Sequence, residues 1–342
     1  GSDSLVFSSY YGGEKSEYPL SLAVSPDGTR LAIGGYTTSG FLQFIASGFS
    51  FQPANRGGVD GFLVVVQPYK AFPESFLYAS YFGGASSDIV SSVAFDSSGN
   101  VWFAGTTMSE DLPVSDNAAY PYSFYPGDGF VAAINPDRSA FDGWVYGSYF
   151  GGTDLDSIQG LALDSQNRVW ITGYTFSDDL PISPGAYSTS RAGSVDAFVA
   201  RLDPSKTGAA FVDYCTYFGG LLGDVPYAIA AHPTDGTATI AGYTSSSDLP
   251  FKNISGAEPS PIRITEIFAA RFDPAQTAQN QLLWSAILGG PGSDVATSLS
   301  LDAAGNAFVA GYSNSKVLSS SDAGTKPAKA GASSGVFFLL KQ

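Results

Sequence analysis

A Gly-Gly pair behind a short apolar strand recurs five times, and that spacing constrains the fold more than any other feature of the chain. It closes SSYYGG at 8–13, ASYFGG at 79–84, GSYFGG at 147–152, CTYFGG at 215–220 and SAILGG at 285–290. The second glycines, Gly13, Gly84, Gly152, Gly220 and Gly290, are separated by 71, 68, 68 and 70 residues. A period of this size marks repeated supersecondary units, each of which buries its apolar face only against its neighbours. With 342 residues, the length alone suggests two domains. The repeat overrides it and predicts a single domain over 1–342.

Each unit reads alike. After Gly-Gly comes a short acidic loop, then an alternating strand such as SVAF (92–95) or GLAL (160–163). A turn follows, SPDGT at 25–29, DSSGN at 96–100, DSQNR at 164–168, HPTDG at 232–236 or DAAGN at 302–306. Asp, Asn and Gly there supply side-chain-to-backbone bonds and positive φ, as a tight hairpin demands. A second strand ends in Gly-Tyr or Gly-Thr. A connection of variable sequence then leads to a third strand, DGFLVVV (60–66), DGFVAAI (128–134), DAFVARL (196–202), EIFAARF (266–272) or SGVFFLL (334–340). A fourth strand runs into the next Gly-Gly. Forty glycines, 25 phenylalanines and 19 tyrosines beside one methionine favour strands and turns over helices.

Four antiparallel strands, A to D, repeated radially define a propeller blade. The expectation is an all-β, five-bladed β-propeller with units at about 5–68, 76–136, 144–204, 211–274 and 282–342. On the A strands Leu22, Val93, Leu161, Ile229 and Leu299 are bulky, and each is followed by Ala or Ser. Neighbouring blades should therefore pack bulky faces on shallow ones. Residues 5–11 read as a D strand with no preceding A to C, and 334–340 as a C strand with no D. The N-terminal strand is expected to complete the last blade and close the ring, removing an open edge.

The segment 149–204, with YFGG, GLALDSQNRVWITGYTFSDDLPISPGAY and GSVDAFVARLDP, resembles the bacterial SBBP-type β-propeller repeat. That resemblance implies an exported or cell-surface bacterial protein, often without assigned activity. The family's name implies seven blades, whereas the repeat count here is five. Units two to four carry an Asp-Leu-Pro segment, Asp111–Pro113, Asp179–Pro181 and Asp248–Pro250, which units one and five replace.

The net charge of −15 repels phosphate backbones and argues against nucleic-acid binding. No apolar run approaches the roughly 18 residues of a membrane span, so no membrane insertion is expected. A lone cysteine, Cys215, excludes intramolecular disulfides and multi-cysteine metal clusters. Gly1-Ser2 reads as a cloning remnant, so a signal peptide is expected to be missing, and the chain is expected to be a monomeric domain of a larger protein.

Two sets of side chains could carry function. Four residues after each second glycine stand Glu17, Asp88, Asp156, Asp224 and Asp294, and the C strands begin at Asp60, Asp128, Asp196, Glu266 and Ser334. A ring of the first set could offer oxygen ligands to Ca²⁺, or each could simply cap backbone N–H groups of its own loop. The second set breaks the symmetry. The first B–C connection carries Phe41, Phe44, Phe49, Phe51 and Arg56, with Lys316, Lys326 and Lys329 in the last. These suit stacking on a glycan or peptide, or a small satellite core. His232 is expected at a surface turn.

A non-enzymatic binding or scaffold module, recognising a glycan or protein on the D–A/B–C loop side, is the first functional expectation. A carbohydrate-active enzyme using channel-mouth carboxylates and a purely structural spacer are the alternatives. A glycosidase needs two carboxyls in different environments, which a repeated ring does not naturally supply.

Overall fold

A computed structural model describes residues 5–45, 50–252, 264–315 and 333–340. The described residues form five antiparallel sheets, one per repeat. The first contains β1 (Glu17–Val24), β2 (Leu31–Thr37), β3 (Asp60–Val66) and β4 (Phe76–Phe82). The second contains β5 (Asp88–Phe95), β6 (Val101–Thr107), β7 (Asp128–Ile134) and β8 (Trp144–Phe150). The third contains β9 (Asp156–Leu163), β10 (Val169–Thr175), β11 (Asp196–Leu202) and β12 (Val212–Phe218). The fourth contains β13 (Asp224–Ala231), β14 (Ala238–Thr244), β15 (Glu266–Phe272) and β16 (Leu282–Leu288). The fifth has three strands, β17 (Asp294–Leu301), β18 (Ala307–Ser313) and β19 (Ser334–Leu340). In each sheet the strands lie in chain order. By contacts the chain falls into two compact units, residues 1–158 with 206–210, and 159–205 with 211–342.

The A–B turns form as their composition dictates. Asp96 accepts hydrogen bonds from the backbone N–H of Ser98 (2.8 Å) and Asn100 (2.9 Å), and Asp302 does the same for Ala304 and Asn306 (both 2.9 Å). The left-handed turn residue is Gly99 in one copy (φ +83°) and Asn167 in another (φ +58°), the two residue types that tolerate this geometry best. Opposite the glycine near the end of the B strand, the A strand bulges in the first, second, fourth and fifth sheets, as between Val90 and Ser92 and between Pro226 and Ala228. A Cβ on Gly105 would stand 1.8 Å from the Ile89 carbonyl oxygen, and one on Gly242 2.0 Å from that of Val225. The bulge, not the turn, is what requires glycine there.

Each unit has its own core. In the first, Phe82 packs against Phe103 and Phe130, both at 4.9 Å between ring centres. In the second, Phe218 meets Phe268 at 5.8 Å and Phe272 at 5.3 Å. The C strands β3 and β7 are buried on both faces, which explains their unbroken apolar sequence. Tyr149 and Tyr217, from the motif preceding Gly-Gly, are buried yet satisfied. The Tyr149 hydroxyl donates to the Ser109 carbonyl (3.0 Å) and accepts from Leu112 N–H (2.8 Å). Tyr217 repeats this with Ser177 (3.0 Å) and Leu180 (3.1 Å). That pair of bonds docks the Asp-Leu-Pro segment, whose Leu112, Leu180 and Leu249 are buried.

Two expectations are corrected. Residues 5–12 form no strand, so the expected ring closure through pairing of 5–11 with the last sheet is not made. Phe7 and Tyr11 pack instead on Phe62, Val64 and neighbouring side chains of the first sheet. Burial of two aromatic rings on an adjacent apolar face offers the segment a local alternative to a long-range strand pairing. Consistently, Val93, Leu161 and Ile229 are buried as expected of the bulky A-strand position, but Leu22 is 60% exposed. His232 is also not a surface residue. It is buried, accepts from Thr234 N–H at 3.3 Å and lies 3.2 Å from the Asp235 carboxylate.

Candidate functional site

The acidic set is placed by strand starts, and it is consumed by loops. Glu17, Asp88, Asp156, Asp224 and Asp294 open β1, β5, β9, β13 and β17. Asp88, Asp156, Asp224 and Asp294 each accept the N–H of their own loop's second glycine, Gly84, Gly152, Gly220 and Gly290, at 2.8, 2.6, 2.7 and 2.9 Å. Asp88 also accepts from the hydroxyls of Thr107 and Ser109, and Asp224 from those of Thr244 and Ser246. Glu17 takes the Thr37 hydroxyl at 3.1 Å and that of Ser39 at 2.5 Å. Loop capping accounts for these bonds. Among the described residues no group of three or more acidic, His or Cys side chains is placed to hold a metal ion.

In the first three sheets the acid that opens the C strand caps the B–C loop. Asp60 accepts from the N–H groups of Arg56 (2.8 Å) and Gly57 (3.1 Å), and Asp196 from those of Ala192 (2.7 Å) and Gly193 (2.9 Å). Asp128 accepts from Phe124 N–H and the Ser123 hydroxyl, both at 2.9 Å. Burial pushes the carboxyls of Asp60, Asp196 and Asp224 up, and those of Asp88 and Asp128 up to about 6, against the hydrogen bonds that favour their charged forms.

The aromatic set of the first B–C connection is divided. Phe44 stacks on Phe76 at 4.0 Å and contacts Phe72 edge-on at 5.6 Å, within the cluster that also holds Tyr11. Phe51 lies flat on Trp144 at 4.4 Å with Phe141 against its edge. Both rings have protein partners already. Phe41 is exposed, and the Arg56 backbone is held by Asp60. Phe49, Lys316, Lys326 and Lys329 lie outside the described residues.

A different aromatic loop is displayed to solvent. In the second repeat, the connection NAAYPYSFYPGD (117–128) carries Tyr122, Phe124 and Tyr125, exposed by 76%, 60% and 44%. Its shape is held from below. Asp128 binds the turn at Ser123 and Phe124, Ser123 donates to the Tyr125 carbonyl at 2.7 Å, and Tyr120 N–H donates to Ser148 at 2.9 Å. Tyr120 meets Phe124 edge to face at 6.4 Å. The third repeat has Ser190, Ala192 and Gly193 where the second has these three aromatics, counting back from Asp196 and Asp128. That loss of symmetry was the available signal.

The antiparallel four-stranded sheets, the capped loops and the sequence period together define the β-propeller class. Residues 77–113 and 283–318 match the SBBP beta-propeller repeat, so each match takes in the fourth strand of one sheet and the first two of the next. No curated protein matches. Among solved structures, hydrazine synthase of Kuenenia stuttgartiensis is similar at 12% identity, over 88% of this chain and 77% of that one, with a TM-score of 0.41. An aldose sugar dehydrogenase from Streptomyces coelicolor, solved with PQQ bound, is similar at 14% identity over 96% and 81%, TM-score 0.38. For a 6-phosphogluconolactonase assignment from Bacteroides uniformis the figures are 10%, 85% and 64%, TM-score 0.37, so the chain spans under two thirds of that length. Likeness at this level carries no inference about activity.

Proposed function

We propose that the chain is a non-enzymatic binding module of an exported or cell-surface bacterial protein, its five sheets acting as the blades of one propeller. It takes a glycan or a protein ligand on the D–A/B–C loop side. The observation that supports this most directly is the loop at 120–125, where three aromatic side chains stand in water on a backbone pinned by the buried Asp128. Exposed aromatics on a pre-set backbone bind flat apolar faces, such as those of sugar rings, with little ordering cost. Against the carbohydrate-active alternative stands the use of the repeat's carboxylates. Asp60, Asp88, Asp128, Asp156, Asp196, Asp224 and Asp294 are buried at strand starts and committed to loop N–H groups, where a sugar could not reach them.

The test is a glycan and peptide array probed with the wild-type chain and with Tyr122→Ala plus Phe124→Ala. The double variant is expected to lose recognition of any hit by a factor of about 30 or more, as for aromatic anchors worth about 2–4 kcal/mol together. Its melting temperature should be unchanged, since both rings are exposed. Phe44→Ala should instead lower the melting temperature and leave binding intact. Turnover of any glycan by the wild type would sink the binding-module reading.

A further inference from the structure

In three of the five Gly-Gly pairs the first glycine is required by its surroundings rather than by its conformation. The first glycine, at 83, 151 and 289, sits between two acids from successive repeats. A Cβ on Gly151 would lie 2.8 Å from Asp156 Oδ2 and 2.9 Å from Asp128 Oδ1. On Gly83 it would lie 2.7 Å from Asp88 Oδ2 and 3.0 Å from Asp60 Oδ1. On Gly289 the corresponding distances are 2.8 Å to Asp294 and 3.1 Å to Glu266. Glycine is there because the carboxyls fill the space a side chain would need. All of these acids are fully buried.

Two carboxyls that line one Cβ-sized space, both out of water, disfavour carrying two full charges. The Ser123 hydroxyl and the Phe124 N–H satisfy one oxygen of Asp128 and leave Oδ1 buried without a hydrogen-bond partner, lining the same space beside Gly151 as Asp156 Oδ2. Asp294 Oδ1 is likewise buried and unpartnered beside Glu266. A carboxyl hydrogen would fit this arrangement, because it turns one oxygen of the pair into a donor.

We propose that the buried pair Asp128–Asp156, and by the same arrangement Glu266–Asp294, holds one shared proton in the folded protein, forming a carboxyl–carboxylate hydrogen bond that staples consecutive repeats. The titratable groups facing Asp128 are Asp156 of β9 and Tyr149 of β8, and Asp88 and Asp111 also act on Tyr149. Tyr149 is itself pushed up to about 12, chiefly by burial, so it stays neutral. At the Asp60–Asp88 pair both oxygens of each carboxyl already accept hydrogen bonds and Arg56 adds a positive charge on the Asp60 side, so no shared proton is assigned there.

Asp128 has an ordinary carboxyl value of 3.8 and a folded value of about 6, so between these the folded state binds more protons than the unfolded one. The staple's contribution is therefore fully present below about pH 4 and is lost as pH rises through about 6. Asp27, Asp235 and Asp302, whose carboxyls are held low, act in the opposite direction, so the staple is read as a difference between variants.

The experiment compares melting temperatures of wild type and Asp128→Asn from pH 4 to pH 8, without added metal and again with millimolar Ca²⁺. Asparagine keeps an acceptor for the loop and places an amide donor toward Asp156, replacing the shared hydrogen without needing a proton. Relative to wild type, Asp128→Asn is expected to gain melting temperature as pH rises from 4 to 7, and to match or exceed wild type at pH 7. Infrared spectra of the wild type at pH 6 should show a protonated carboxyl band that weakens in Asp128→Asn. A variant less stable at pH 7 with an unchanged pH profile, together with no protonated band, would overturn the proposal. So would a rise in wild-type melting temperature with Ca²⁺ that Asp128→Asn abolishes, which would make the pair a cation site.

Discussion

Replacing Gly105 by alanine is expected to destabilise the protein by about 3 kcal/mol or more, among the largest effects of a single methyl group anywhere in the chain. The added carbon would sit 1.8 Å from the Ile89 carbonyl oxygen and 2.8 Å from the Ile89 carbonyl carbon, with the Phe130 ring at 3.1 Å. Two of these neighbours are backbone held in the β5–β6 ladder, so the strain cannot be relieved by a side-chain rotation. Gly28→Ala is the control. Gly28 has φ +71° and nothing within 4 Å of the would-be Cβ, so it loses only the left-handed conformational allowance, about 1 kcal/mol. Urea unfolding curves of the two variants would separate steric clash from turn strain. Equal losses would mean that the bulge relaxes.

Phe218→Ala is expected to cost about 3–5 kcal/mol, as for a fully buried aromatic whose cavity cannot collapse. Its ring has no exposed surface and contacts Phe268, Phe272 and Tyr187 at 5.3 to 6.3 Å, so three other rings lose a partner. Phe41→Ala, at an exposed ring, should change stability by less than about 0.5 kcal/mol. Because the chain forms two compact units, calorimetry should show whether the Phe218 change lowers a single transition or one of two. A loss under about 1 kcal/mol would mean that the neighbouring rings fill the vacated space.

The candidate site was half legible. Both acidic positions, Asp88 and Asp128 and their repeats, stood out by spacing, because a repeated residue shows itself in a period. Their pairing across Gly151 did not, since the two acids are 28 residues apart and meet only when one repeat packs on the next. The aromatic loops show the converse. Phe44 and Phe51 look like ligand-stacking residues in sequence, but sequence carries no record of Phe76 and Trp144 waiting beneath them. Tyr122 and Phe124 carry the same composition and are exposed, because Asp128 turns the backbone so that the rings project outward.

What the sequence determined by itself is everything governed by local rules: five units, strand order within each, and hairpin turns at Gly99 and Asn167. The capping acids at strand starts belong there too, since each of these depends on contacts within about 20 residues or on the repeat itself. Tertiary structure alone decided where residues 5–12 lie. A D-strand pattern such as LVFSSYY fits any open sheet edge equally well, and its place is settled by which apolar surface it can bury at the least loop-closure cost. The same holds for burial of His232 and exposure of Leu22. Both sit at positions whose local pattern is ordinary, and only the presence or absence of a packed neighbour sets how much water they meet.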